Sequence, residues 1–166
     1  MNITLESMLN LSIIMPLLAA AGIVTTGRNA NLREAVTIVT SLVLLFLVIN
    51  LYQGNQQGES ISVLWWELLP GLQISFSIEP LGILFALIAS FLWLITTVYA
   101  IGYMRSHNEK NQTRFYTCFA IAISSVMGIA FSDNLFSLFI FYEVLTLSTY
   151  PLVTHSGTEE AKKGGR

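Results

Sequence analysis

Five apolar stretches, each close to twenty residues long, divide this chain and leave few folds open to it. They run over about 8–26, 34–52, 80–103, 114–131 and 134–154. At 1.5 Å of rise per residue, about 20 residues cross the roughly 30 Å of hydrocarbon in a bilayer. Helices satisfy their own backbone there, whereas open irregular segments do not. The pattern predicts an all-α integral membrane protein with five transmembrane helices, in one membrane domain covering residues 1–166. Charge agrees: 54% of the residues are hydrophobic and 11% charged, under half the charged share of a typical soluble domain.

The connectors carry their own signals. Pro80 suits the first turn of the third helix, where its missing N–H is no loss. Ser132-Asp133-Asn134 forms a tight connector whose side chains can cap the fifth helix. The first stretch does not read as a signal peptide, because Glu6 and no Lys or Arg precedes it. In the long connector 53–79, Leu72, Ile74, Phe76 and Ile78 alternate with Gln73, Ser75 and Ser77. That alternation is the period of a strand, and Pro70-Gly71 before it fits a type II turn. A short β-hairpin on the outer membrane face follows, with Trp65 and Trp66 at headgroup depth.

Orientation is read from the basic residues. Arg28, Arg33, Arg105, Lys110, Arg114, Lys162, Lys163 and Arg166 all fall on one side of a five-span topology. Glu6, Glu59, Glu67, Glu79 and Asp133 lie on the other. The positive-inside bias predicts an outer N-terminus and an inner C-terminus, as a multi-pass protein of the cell (inner) membrane. No polybasic arm suggests nucleic acid. The lone Cys118 offers neither a disulfide framework nor a cysteine-ligated metal site. With no Cys cluster, no G-x-G-x-x-G and no intramembrane His pair, no cofactor and no metal is expected. The chain is not expected to be an enzyme in itself.

One residue breaks the apolar pattern. In "FIFYEVLTLSTYPL", Phe139 to Leu152, Glu143 lies nine residues from Asn134, about 14 Å along a helix and near mid-bilayer. An acidic residue costs roughly 2.5–3.5 kcal/mol there, which makes it a functional candidate. Thr146 and Tyr150 continue its stripe toward the inner face, and Phe136, Phe139 and Ile140 flank it on the outer side. Such hydroxyls can line a proton path, or bond back to their own helix. Pro151 leaves the carbonyl of Leu147 without its helical partner, another polar stop or merely a kink. His155, at the inner end, is a candidate proton acceptor. Low dielectric favours the neutral acid, and only a nearby cation holds it ionised. The interiors of the five stretches supply none, so the cation has to come from other polypeptide. Thr37, Thr40, Ser41, Thr96, Thr97, Ser124 and Ser125 read as small or polar helix contacts, and Asp133 as a helix-terminus charge.

The stretch Arg114 to Arg166, above all "MGIAFSDNLFSLFIFYEVLTLSTYPLV" (Met127 to Val153), resembles the antiporter-like subunits shared by Mrp-type cation/proton antiporters, membrane-bound hydrogenases and complex I. The nearest flavour is the Mrp antiporter D subunit, and "FSIEPLGILFALI" (Phe76 to Ile88) is similar to the family's second-to-third helix region. The resemblance implies helices 1–5 of a fourteen-helix fold with two inverted repeats. Its fifth-helix glutamate falls on Glu143 and is paired in the family with a seventh-helix lysine. The expected function is that of a subunit or N-terminal portion of a multisubunit monovalent cation (Na+)/proton antiporter. The expected partners are the lipid bilayer, protons, Na+ and other membrane subunits, one of which supplies the missing helices and the lysine. A proton-pumping membrane-arm subunit of an NADH- or ferredoxin-linked oxidoreductase or hydrogenase is the alternative. A truncated, non-transporting assembly element is the second alternative.

Overall fold

The computed structural model describes residues 4–58, 61–107 and 109–155. Glu59, Lys162, Lys163 and Arg166, used above for orientation, lie outside them. Five helices and one hairpin are present: α1 Leu5–Thr25, α2 Ala30–Gln56, β1 Ser62–Leu69, β2 Leu72–Ser77, α3 Pro80–Ser106, α4 Gln112–Ala130 and α5 Leu135–Val153. All five helices are long and apolar enough to cross a membrane. The chain is a multi-pass integral membrane protein.

Two helices outrun the apolar stretches that announced them. α2 and α3 each hold 27 residues, about 40 Å of helix, so their ends extend beyond the hydrocarbon. At the start of α2, the Asn29 carboxamide oxygen accepts from the amides of Asn31 (3.1 Å) and Leu32 (3.5 Å), an N-cap that starts the helix early. The consequence corrects the expectation of helices free of basic groups. Arg33 and Arg105, read above as connector charges, stand within α2 and α3, and Glu34 lies a full turn inside α2. α5 starts where expected, with the Asn134 side chain accepting from the Ser137 amide at 2.8 Å.

α1 packs on α2 and α4, α2 on α3, and α3 on α4, closing a ring of four helices, while α5 lies outside the ring against α4. Leu9, Ile13, Ile23, Leu44, Val48, Trp93, Tyr116 and Met127 fill the ring. The Ser124 hydroxyl donates to the carbonyl of Ile13 at 2.6 Å, the polar helix contact expected of that residue. Gly82 lets α3 approach α4, since a Cβ there would strike the carbonyl of Ala130. A backbone oxygen cannot rotate away. Gly82→Ala is therefore expected to destabilise by about 1–2 kcal/mol net of its helix-propensity gain, read as a lower thermal midpoint in detergent.

The hairpin is antiparallel, pairing Ser62 with Ser77 through Leu69 with Leu72. Gly71 has φ +85°, the left-handed conformation that the third residue of a type II turn requires. β2 is tied to the α4–α5 connector. Ser77 N–H donates to Phe131 (2.8 Å), Asp133 N–H to Ser75 (3.1 Å), Ser75 N–H to the Ser137 hydroxyl (3.0 Å), and the Asn134 amide to Gln73 (3.0 Å). Trp66 is exposed, but Trp65 is not simply a headgroup anchor. Its ring meets Phe76 at 4.7 Å and Phe141 at 6.3 Å, and its indole N–H donates to Asn10 at 2.6 Å.

Candidate functional site

Glu143 is eight residues from the start of α5 and ten from its end, near the middle of the helix. The helix turns only a narrow face inward: Ser137 and Ser148 are buried, and Phe141 packs onto the core from the same side. The rest of its circumference is bare. Phe139, Tyr142, Glu143, Thr146, Leu147 and Tyr150 are all exposed, on a face that no other described element covers. Toward the hairpin end, this surface becomes a groove of Leu135, Phe136, Leu138, Phe139 and Tyr142. Polar character continues only the other way, through Thr146 and Tyr150.

The candidate residues divide into two groups. Glu143, Thr146 and Tyr150 share the bare face of α5. The Thr146 hydroxyl donates to the carbonyl of Tyr142 at 2.9 Å, which spends its proton but leaves its oxygen free to accept. Pro151 lines a separate groove between α4 and α5, with Cys118, Ile121, Val144, Leu147 and Ser148. α5 remains helical through Pro151 to Val153. His155 folds back on α4, its ring edge-on to Phe115 with centroids 5.4 Å apart. No bond joins Glu143 to His155, and twelve residues of rise, about 18 Å, separate their positions along the axis.

Sequence reasoning passed over a second ionic site. Glu34, 4% exposed, accepts from Arg105 through both oxygens, at 2.5 and 3.1 Å. Arg105 also donates to Asn31 at 2.6 Å. Arg33, 5% exposed, donates to Thr113 (3.2 Å) and Gln112 (2.6 Å), and its guanidinium lies 5.3 Å from the centroid of the Tyr116 ring. A nitrogen of Arg33 is also 3.7 Å from Glu34. The cluster fastens α2, α3 and α4 at their basic ends. The signal available in sequence was the adjacent Arg33-Glu34 pair at the edge of an apolar stretch. Both ion pairs found among the described residues involve Glu34; Glu143 has none.

These features can be set beside known proteins. The family profile described as NADH-Ubiquinone oxidoreductase (complex I), chain 5 N-terminus, matches residues 68–116. The Na(+)/H(+) antiporter subunit A1 of Staphylococcus aureus is 24% identical over 151 residues, covering 89% of this chain. Its counterpart in Staphylococcus haemolyticus is 26% identical over the same length. The chain is homologous to Mrp-type antiporter subunits and the complex I-like membrane arm. It spans 19% of the length of those two relatives. The solved membrane-bound sulfane sulfur reductase, an archaeal respiratory membrane complex, contains a chain that superposes with a TM-score of 0.73 at 18% identity. The match covers 88% of this chain and 23% of that one, and at that identity it speaks for the fold alone. The curated relatives named here are antiporter A subunits, not enzymes; the narrower likeness to a D subunit is not carried by them.

Proposed function

We propose that this Mrp-like chain is a subunit, or the N-terminal portion, of a multisubunit monovalent cation (Na+)/proton antiporter, and that Glu143 carries protons within it. The observation behind this reading is an acid midway along a membrane-length helix, on a face left bare by the other described elements. Facing lipid, that carboxyl would be costly; facing further protein, it becomes part of an interface. The relatives extend well beyond the length of this chain, and helices of that kind, laid against α5, would cover it. A lysine on one of them would hold Glu143 ionised, and its withdrawal would let the acid take a proton. Thr146 and Tyr150 offer oxygens toward the basic end; Pro151, in the groove between α4 and α5, and His155, against α4 beyond the end of α5, are the further polar stops of this reading. The fourteen-helix arrangement, the inner orientation of the basic end, the inner membrane as location and the D-subunit flavour of α5 belong to the same reading.

The test is Glu143→Gln in the assembled complex, scored as cation-dependent proton flux in vesicles. Gln keeps the shape and abolishes titration. Flux is expected to fall by at least about tenfold, the loss of about 1.4 kcal/mol or more in the proton-transfer step, with assembly intact. Undiminished flux would remove Glu143 from the path.

The match to complex I chain 5 favours one alternative, a proton-pumping arm of a respiratory oxidoreductase or hydrogenase. The two readings share the Glu143 chemistry and differ in the driving reaction. Vesicles energised by an imposed Na+ gradient alone would acidify or alkalinise only under the antiporter reading.

A further inference from the structure

The four-helix ring contains polar atoms that its own packing does not satisfy. Arg33 Nε, Tyr116 Oη, Thr97 Oγ1 and Trp93 Nε1 are buried, with no hydrogen-bond partner among the described residues. Their residues are each 5% exposed or less. One such group in a core is an oddity, because buried polar groups almost always find protein or ordered water. Four in one ring form a pattern.

They are also ordered in depth. Arg33 and Tyr116 lie beside each other at the basic end. On α3, Thr97 stands eight residues inward from Arg105, about 12 Å, and Trp93 one turn further, about 6 Å. Positions four apart share one helix face. Trp93 is thirteen residues from either end of α3, so the row runs from the Arg33–Glu34–Arg105 cluster to the middle of the membrane. Buried hydroxyls line the same interior. Thr37, Ser41 and Ser90 donate to their own helices, to Arg33, Ile38 and Leu87 at 3.0, 2.8 and 3.0 Å, and each oxygen keeps lone pairs to accept with. All four orphan groups are donors only or carry a hydroxyl proton, and none has an acceptor in direct contact among the described residues. A molecule that both donates and accepts completes such a set, and water is the one small enough.

From this geometry we infer that the ring holds a row of ordered water molecules, entered from the basic end beside Glu34 and Arg105 and ending at Trp93. It is a hydrated inlet through α1–α4, separate from the bare face of α5. The half-exposed Arg105 side chain stands at its mouth. Glu34, Thr97 and Tyr116 are its polar walls. The inference does not depend on Glu143 or on antiport.

Hydroxyl-radical footprinting by X-ray radiolysis, on the chain in its native membrane complex, tests it. Radicals made from bound water oxidise the side chains beside it. After correction for intrinsic reactivity, Trp93 and Tyr116 are expected to be oxidised roughly tenfold faster than Met127, which is fully buried among apolar neighbours. Thr97→Val should slow oxidation at Trp93 while leaving exposed Trp66 unchanged. Oxidation of Trp93 and Tyr116 no faster than Met127, with Thr97→Val raising the thermal midpoint, would show a dry core with stranded groups and overturn the proposal. Because the readout is labelling rather than flux, a wet ring with an inert Glu143, or the reverse, is told apart.

Discussion

Glu34→Ala is expected to cost about 3 kcal/mol of stability, among the largest effects of any single substitution in this chain. The reason is what it leaves behind. Among the described residues Glu34 is the only acid in contact with Arg33, and Arg33 is almost wholly enclosed, with neutral Thr113, Gln112 and the Tyr116 ring among its other neighbours. Without the carboxylate, a buried guanidinium stands uncompensated, and the penalty of an unpaired interior charge exceeds the value of the pair itself. Arg105 behaves differently. Its side chain is half exposed, and Arg105→Gln leaves the buried Glu34 with Arg33 as a counter-charge at 3.7 Å and with an amide in place of the guanidinium, so it should be milder than Glu34→Ala. Thermal unfolding of the three proteins in detergent gives the order. Equal losses for the Glu34 and Arg105 variants would mean that the pair, and not the stranded Arg33, carries the energy. The double variant Glu34→Leu with Arg33→Leu should recover most of the loss, because it removes both charges from the interior.

Gly128→Leu is expected to push α5 away from α4, at a cost of about 3 kcal/mol, the upper end of what overpacking brings. A Cβ at Gly128 would already overlap the ring of Phe141, and that ring is itself packed against two others. It is edge-on to Phe76 at 5.6 Å and to Trp65 at 6.3 Å. Displacing it should therefore reach the hairpin. The near-ultraviolet dichroism of Trp65 should weaken along with the thermal midpoint. Adding Phe141→Ala makes room, and the pair together should be more stable than Gly128→Leu alone. A stable Gly128→Leu protein with an unchanged Trp65 signal would mean that α5 is held by something other than this contact.

Much of this arrangement is legible in the residues. Length and hydropathy locate all five helices, alternation over Leu72–Ile78 locates β2, and Pro70-Gly71 locates the turn. Asn134 reads as a cap and proves to be one. Glu143 is conspicuous because an acid in an apolar run has no local reason to be there, and its mid-depth position follows from counting residues. What counting cannot supply is direction. Hydropathy marks where hydrocarbon begins, not where a helix ends, so Arg33 and Arg105 read as connector charges although they are helical, and Glu34 as the edge of a span. Their meeting joins residues 71 apart in sequence, and no local pattern encodes such a pairing. Trp65 illustrates the same limit. A tryptophan near a membrane boundary suggests a lipid anchor, whereas its neighbours Asn10, Phe76 and Phe141 come from three separate elements. His155 reads as a proton acceptor at a helix end, yet its ring lies against Phe115, because the chain turns back after Val153.

The clasp between β2 and the 131–137 connector has a consequence for biosynthesis. Ser75 offers its amide to a hydroxyl 62 residues later in the chain, so the second strand leaves the ribosome well before its partners in the 131–137 segment. Until α4 has crossed the bilayer and Ser137 has followed, that strand edge has only β1 to hold it. The ring of four helices can close first, but the outer seam fastens last, and only if the fifth span arrives in register. Correct threading of α5 is thus checked at the surface opposite the arginines, by a handful of hydrogen bonds that no earlier part of the polypeptide can imitate.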